Sequence, residues 1–198
     1  MLILNNVVYE NGGRCISANA VSNFYVINNT CYKNGEDLTM KSPPGSFVTR
    51  ESKTGYLVNN ISYDWHNKTS AWGGQSVSSF LLKGSDSAIS YYKNIWFIGG
   101  LNFTPSDPSQ FFDQDPLFVR APPVDPNVGR QEAMALDPSF LGIDLTLQAT
   151  SPASNKGIDP STIAGMPSAI ANDLRKYIYT DINGIPRAAG SWDLGAYQ

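Results

Sequence analysis

A ten-residue pattern recurs along the first half of the chain and limits the folds open to it. Residues 3–12 read Ile-Leu-Asn-Asn-Val-Val-Tyr-Glu-Asn-Gly, and residues 26–35 read Val-Ile-Asn-Asn-Thr-Cys-Tyr-Lys-Asn-Gly, an offset of 23. The pattern returns 31 residues on as Leu57-Val58-Asn59-Asn60-Ile61-Ser62-Tyr63-Asp64, and more faintly after another 34 as Tyr92-Lys93-Asn94-Ile95-Trp96-Phe97. Self-similarity on this scale marks a repeat architecture, in which each unit buries its apolar face against the next. The units are β-branched and aromatic with Asn and Gly at their joints, so they are built of strands. A helical solenoid would show a 3.6-residue period and good helix formers.

Stacking the copies at the ~4.8 Å strand spacing gives concrete expectations. Asn6, Asn29, Asn60 and Asn94 form a ladder whose side-chain amides hydrogen-bond along the stack. Tyr9, Tyr32, Tyr63 and Phe97 form an aromatic column beside it. Val7, Thr30, Ile61 and Ile95 form a β-branched row, and Glu10, Lys33 and Asp64 a solvated ladder of alternating charge. A β-sandwich with chance Asn-Asn pairs is the alternative, and three near-identical copies argue against it.

The chain has 198 residues, a net charge of −3, 17 Gly and 13 Pro. That length suffices for one domain with a real core, and the composition is that of a turn-rich β protein. Lys and Arg do not cluster, so no nucleic-acid footprint is expected. No apolar run approaches the ~20 residues of a membrane span, and no signal peptide is visible. Cys15 and Cys31 allow one disulfide or two buried thiols. The apolar repeat position of Cys31 favours thiols, and the spacing fits no metal site.

The Asn-Asn-x-x-Tyr-x-Asn-Gly repeats resemble the pectate-lyase-like superfamily of right-handed parallel β-helices. Asp115-Pro116-Leu117-Phe118-Val119, Ser151-Pro152-Ala153, Lys156-Gly157, Asp181-Ile182-Asn183-Gly184, Pro186-Arg187 and Asp193-Leu194-Gly195-Ala196-Tyr197 are similar to the closing segment of many secreted bacterial members. The expectation is therefore an all-β chain, one parallel β-helix solenoid with long loops over residues 1–198. Residues 1–105 hold the coils, with insertions at 36–55 and 64–77 projecting as loops. Residues 106–198 form an irregular closing segment packed on the coils, with a helix within 161–179 that starts near Pro167 and a helical turn at 131–136. The repeat begins at residue 2, which points to a fragment of a longer protein. An end at Leu2–Val8 without a cap exposes unpaired backbone, and a homodimer through it is the simplest closed solution.

The resemblance implies a polysaccharide partner, a secreted or cell-surface location, and a lyase or glycoside hydrolase acting on plant or algal polysaccharide. A lyase needs a base and neutralisation of the uronate carboxylate by arginine or calcium, and a hydrolase needs two carboxylates. Calcium is thus the one cofactor implied, and Glu36-Asp37 supply only part of a ligand set. The insertions and the charge row supply the candidates: Lys41, Arg50, Glu51, Asp64 and His66 for catalysis, and Glu10, Lys33, Trp65 and Trp72 for substrate, the tryptophans by stacking on sugar faces. His66 is the only histidine of the chain. A bland reading stands beside each: a solvated charge row, an ordinary Arg50–Glu51 surface pair, loop tryptophans. The "NTD", "GHG" and "RIK" sets of polygalacturonase-like hydrolases are absent, as is the arginine motif of pectate lyases. Four glycosylation patterns, at Asn28, Asn60, Asn67 and Asn102, read as chance. A non-catalytic glycan-binding or surface structural segment is the alternative function.

Overall fold

A computed structural model describes residues 1–11, 13–35, 45–64, 78–83, 88–121 and 142–198, and of Lys83 the backbone alone. The protein is predominantly β with parallel sheets, and one α-helix is present among the described residues. Sheet A pairs β1 (Leu2–Leu4), β4 (Asn23–Ile27), β7 (Thr54–Val58) and β10 (Ala88–Tyr92) in that order. Sheet B pairs β2 (Val7–Tyr9), β5 (Thr30–Tyr32), β8 (Ile61–Tyr63), β11 (Asn94–Phe97) and β12 (Phe111–Asp113). Sheet C pairs β3 (Ile16–Asn19), β6 (Gly45–Arg50) and β9 (Ser78–Lys83). All these pairings are parallel, and up to β11 the chain visits A, B and C (C as the Phe80–Leu101 bridge after β11) with sheet partners three strands apart.

The two asparagines of each repeat divide their work. The first, Asn5, Asn28 or Asn59, takes positive φ (52°, 55° and 53°) and turns the chain from sheet A into sheet B. Asparagine tolerates this region better than most residues do. The second points into the stack and forms the expected ladder. Asn6 Nδ2 donates to Asn29 Oδ1 at 2.9 Å, Asn29 Nδ2 to Asn60 Oδ1 at 3.0 Å and Asn60 Nδ2 to Asn94 Oδ1 at 2.9 Å. The β-branched row is in register, Val7–Thr30–Ile61–Ile95, as is the aromatic column, where Tyr32 lies 5.1 Å from Tyr63 and Tyr63 5.2 Å from Phe97.

Alternation along the strands separates three apolar clusters. Ile16, Phe24, Val26, Cys31, Phe47, Leu57 and Phe80, drawn from all three sheets, fill the space between them. The opposite face of sheet A, with Tyr25, Ile27, Tyr56 and Val58, packs against Ile163, Leu174, Ile178 and Trp192 of the C-terminal segment. The opposite face of sheet B, with Tyr32, Ile61, Tyr63 and Ile95, packs against Phe118, Leu145, Ala153 and Leu194. The C-terminal residues thus cover two sheets. They comprise the antiparallel pair β13 (Phe118–Arg120) and β14 (Asp144–Leu147), and helix α1 (Ser168–Tyr177), which starts after Pro167 as the sequence suggests.

The outward asparagines anchor this segment. Asn59 exchanges two hydrogen bonds with the Ile158 backbone, at 2.7 and 3.1 Å. Asn5 Nδ2 donates to the carbonyls of Tyr177 and Thr180 at 3.1 and 3.0 Å. The motif residues near the C-terminus act as staples. Asp181 accepts from the backbone of Asn183, Ile185 and Gln198. The buried Arg187 donates to the carbonyls of Asp193, Gly195 and Tyr197, and burial lowers its pKa to about 10. Gly195, at φ +83°, brings the chain so close that a Cβ would strike Ile61.

Two expectations are corrected. Cys15 and Cys31 form a disulfide, with Cα atoms 5.9 Å apart. The apolar position of Cys31 holds, because its side chain faces the enclosed interior, where Cys15 meets it. Residues 45–50, expected within a projecting loop, are strand β6, since Phe47 and Thr49 continue the inward alternation of Ile16 and Ala18. The helical turn expected at 131–136 lies outside the described residues.

Candidate functional site

Sheet C differs from its neighbours in what its far side carries. Val48 and Leu81, which alternate outward from the interior residues Phe47 and Phe80, are 3% and 2% exposed, so the outward face is open only at its end. Its last row in register is Asn19, Arg50 and Lys83, and Ser17, Asn19, Arg50 and the following Glu51 are exposed. Arg50 Nε pairs with Glu51 Oε1 at 3.2 Å, with both side chains 60% exposed. Arg14, just before β3, is part-buried. Burial, and to a lesser degree the positive charge of Arg50, hold its guanidinium below the ordinary arginine range. Two arginines therefore gather beside a polar strand row, an arrangement that attracts anionic groups.

Asp64 follows β8 and lies at the start of the second insertion, but it is not on a solvated row. It is 1% exposed. Ser46 Oγ donates to its Oδ1 at 2.8 Å and Ser62 Oγ to its Oδ2 at 2.9 Å, and Ser79 Oγ donates to Oδ2 as well. The turn after β11 closes over the group: a Cβ on Gly99 would lie 2.6 Å from Asp64 Oδ2. Burial raises the carboxyl pKa, and the three hydroxyls act in the opposite direction. Among the described residues no basic side chain pairs with it. The node ties sheet B to sheet C where both insertions leave or rejoin the strands, since Ser46 follows 36–44, Asp64 precedes 65–77 and Ser79 follows it.

The charge row expected of Glu10, Lys33 and Asp64 is thus corrected. Glu10 and Lys33 do stack, with Lys33 Nζ 4.0 Å from Glu10 Oε1 and 5.2 Å from the Tyr32 ring centroid, and both are largely buried. They take φ of +47° and +49°, whereas Asp64 does not enter that region, and its carboxylate turns inward to the three serines. The structure brings Asp64 together with none of Arg50, Glu51, Glu10 or Lys33. Lys41, Trp65, His66 and Trp72 lie outside the described residues, as do Glu36 and Asp37. Among the described residues no group of three His, Cys, Asp or Glu could hold a metal ion.

Sequence reasoning missed the three serines. A signal existed: Ser46-Phe47-Val48 and Ser79-Phe80-Leu81 are a second repeat, 33 residues apart. No protein-family model, no curated protein and no solved structure matches the chain. Among the described residues, no helix is long and apolar enough to cross a membrane.

Proposed function

We propose that the chain is a stretch of right-handed parallel β-helix of the pectate-lyase-like kind, and that it is a carbohydrate-active enzyme, a polysaccharide lyase or glycoside hydrolase. A plant or algal polymer binds at the exposed end of sheet C, at Asn19, Arg50 and Glu51. Strand rotation through three sheets and the asparagine ladder support the architecture. One observation supports the location: the C-terminal segment packs on sheets A and B, while sheet C keeps Asn19, Arg50 and Glu51 exposed with Arg14 nearby. Two neighbouring arginines suit an anionic, uronate-type polymer, whose carboxylates they neutralise. A secreted or cell-surface location fits the disulfide.

A non-catalytic glycan-binding segment is the second reading, and one observation favours it. Asp64, which accepts from three serine hydroxyls, is sealed from solvent. Sealed in this way it positions strands rather than touching substrate.

The test is a polysaccharide panel read for unsaturated-product absorbance and for reducing ends, with and without chelator, on wild type, Arg50→Ala and His66→Ala. Absorbing product that chelator abolishes identifies a calcium-assisted lyase, and reducing ends without absorbance identify a hydrolase. Loss in Arg50→Ala places the polymer on sheet C. Folded protein that yields no product yet is retarded in a polysaccharide gel, with Arg50→Ala retarded less, establishes the binding reading. Absence of both product and retardation rejects both.

A further inference from the structure

An asparagine that precedes a glycine carries its own reaction partner. The glycine backbone nitrogen attacks the asparagine side-chain carbonyl, and the missing Cβ leaves that approach open. The sequence has three such pairs, Asn11-Gly12, Asn34-Gly35 and Asn183-Gly184. Gly12 lies outside the described residues, and the other two pairs stand in opposite surroundings.

Asn34 is 3% exposed. Its Oδ1 accepts from the Asn11 backbone N–H at 3.3 Å, and its Nδ2 donates to the Val8 carbonyl at 2.9 Å. The Gly35 N–H is shared by the carbonyls of Asn11 and Gly13, at 2.9 and 2.6 Å. Electrophile and nucleophile are both occupied. Asn183 and Gly184 are exposed, and the Asn183 side chain makes no hydrogen bond among the described residues. A Cβ on Gly184 would meet nothing within 4 Å. One bond restrains the nucleophile, from the Gly184 N–H to the Asp181 carbonyl at 3.0 Å. A single bond in an exposed turn opens at little cost.

This turn also clasps the residues that close the chain over sheet B. The buried Asp181 accepts at Oδ1 from the backbone N–H groups of Asn183 and Ile185, both at 2.8 Å, and at Oδ2 from that of Gln198 at 3.0 Å. The Ile182 N–H donates to the Ala196 carbonyl at 3.0 Å.

We propose that Asn183 is a self-modification site whose conversion releases residues 196–198 from the turn. The Gly184 nitrogen loses its proton to solvent and bonds to Asn183 Cγ. The Cγ–Nδ2 bond breaks, Nδ2 leaves as ammonia, and a cyclic imide forms. Water then opens the ring, at the side-chain carbonyl to give aspartate or at the backbone carbonyl to give isoaspartate. Isoaspartate routes the main chain through the former side chain and lengthens the turn by one carbon, which carries the Ile185 N–H away from Asp181. Both products set a second carboxylate close to that of Asp181, where like charges repel. The inference is independent of the glycan reading.

The test incubates the full chain at mildly alkaline pH and maps it by mass spectrometry, with amide hydrogen exchange read at Gln198. Asn183 should exchange its amide for a carboxyl at least about tenfold faster than Asn34, whose shielding has to open first. Exchange at Gln198 should quicken as Asn183 converts. Asn183→Gln, which would need a larger ring, should stay unmodified and keep slow exchange through the same incubation. In urea the two pairs should convert alike, which assigns their difference to the fold. Equal rates for Asn183 and Asn34 in the folded protein overturn the proposal. Conversion of Asn183 with exchange at Gln198 unchanged also overturns it, since the clasp then survives the modification.

Discussion

Asn60 and Asp64 lie four residues apart in one repeat copy, and both bury polar atoms completely, yet they do so on different terms. Asn60 is a neutral amide with donors and an acceptor, so it receives two bonds from Asn29 and passes others to Asn94 and to the Val26 carbonyl. Such a group can be repeated without limit, because each copy satisfies the next. Asp64 ionised only accepts. It collects three hydroxyls, ends the network there and retains the cost of burying a charge. The ladder holds successive layers together along the stack. The carboxylate ties two sheets together at one level, where the chain departs into its insertions.

The sharpest way to break this contrast is Asn60→Ala. The substitution strips the acceptor from the Asn29 backbone N–H and side chain and leaves the Val26 carbonyl without that donor. At ~1–3 kcal/mol for each buried group left unsatisfied, the loss should exceed ~3 kcal/mol. Urea unfolding would read it, and a loss below ~1 kcal/mol would mean that the ladder does not hold the layers. Asp64→Ala should come next, at roughly 2–4 kcal/mol, because Ser46 and Ser62 lose their acceptor in a site with 1% exposure. Limited proteolysis adds a readout specific to the node: cleavage in 36–44 and 65–77 should accelerate in Asp64→Ala and not in Asn60→Ala at matched stability.

Asp64→Asn separates the charge from the hydrogen bonds. Serine hydroxyls can accept as well as donate, so the amide keeps the network. Burial raises the folded pKa of Asp64 above its unfolded value. The stability it contributes is therefore fully present below the unfolded value, near ~3.9, and is lost as pH rises through the raised folded value. Asp64→Asn lacks that loss, so its advantage over wild type should widen with pH in urea melts run from acid to neutral. Parallel curves would show that the carboxyl titrates alike in both states.

The ladder and the node also differ in how far the sequence revealed them. Asn6, Asn29, Asn60 and Asn94 were legible because a ladder needs the same residue at the same place in every layer, and the repeat displays it. The helix start at Pro167 was legible because that residue fixes its own backbone angle. The role of Asn5 and Asn59 was not, since their partners Tyr177, Thr180 and Ile158 are about 100 or more residues away and follow no repeat. Asp64 misled for a related reason. Its alignment with Glu10 and Lys33 is real, but its side-chain direction depends on Ser46 and Ser79 of a sheet whose repeat lacks the Asn-Asn mark. Strand β6 was lost with it. The disulfide was hidden because an inward apolar position suits a buried thiol and a buried cystine equally.

Glu51 supplies the smallest effect and a control on the carboxylate comparison. Like Asp64 it is an acid beside sheet C, and unlike Asp64 it has a cationic partner, Arg50 Nε at 3.2 Å. Judged by pairing alone it would matter more. Both side chains are 60% exposed, however, so solvent screens the pair and ordering two long side chains offsets most of the attraction. Glu51→Gln should change stability by less than ~0.5 kcal/mol, with no shift when the melt is repeated in high salt. Should it instead cost as much as Asp64→Ala, the node's weight could not be assigned to burial. If the small effect is found, the pair does not hold the fold, and under the proposed glycan function Arg50→Ala should lose polysaccharide retention without losing stability.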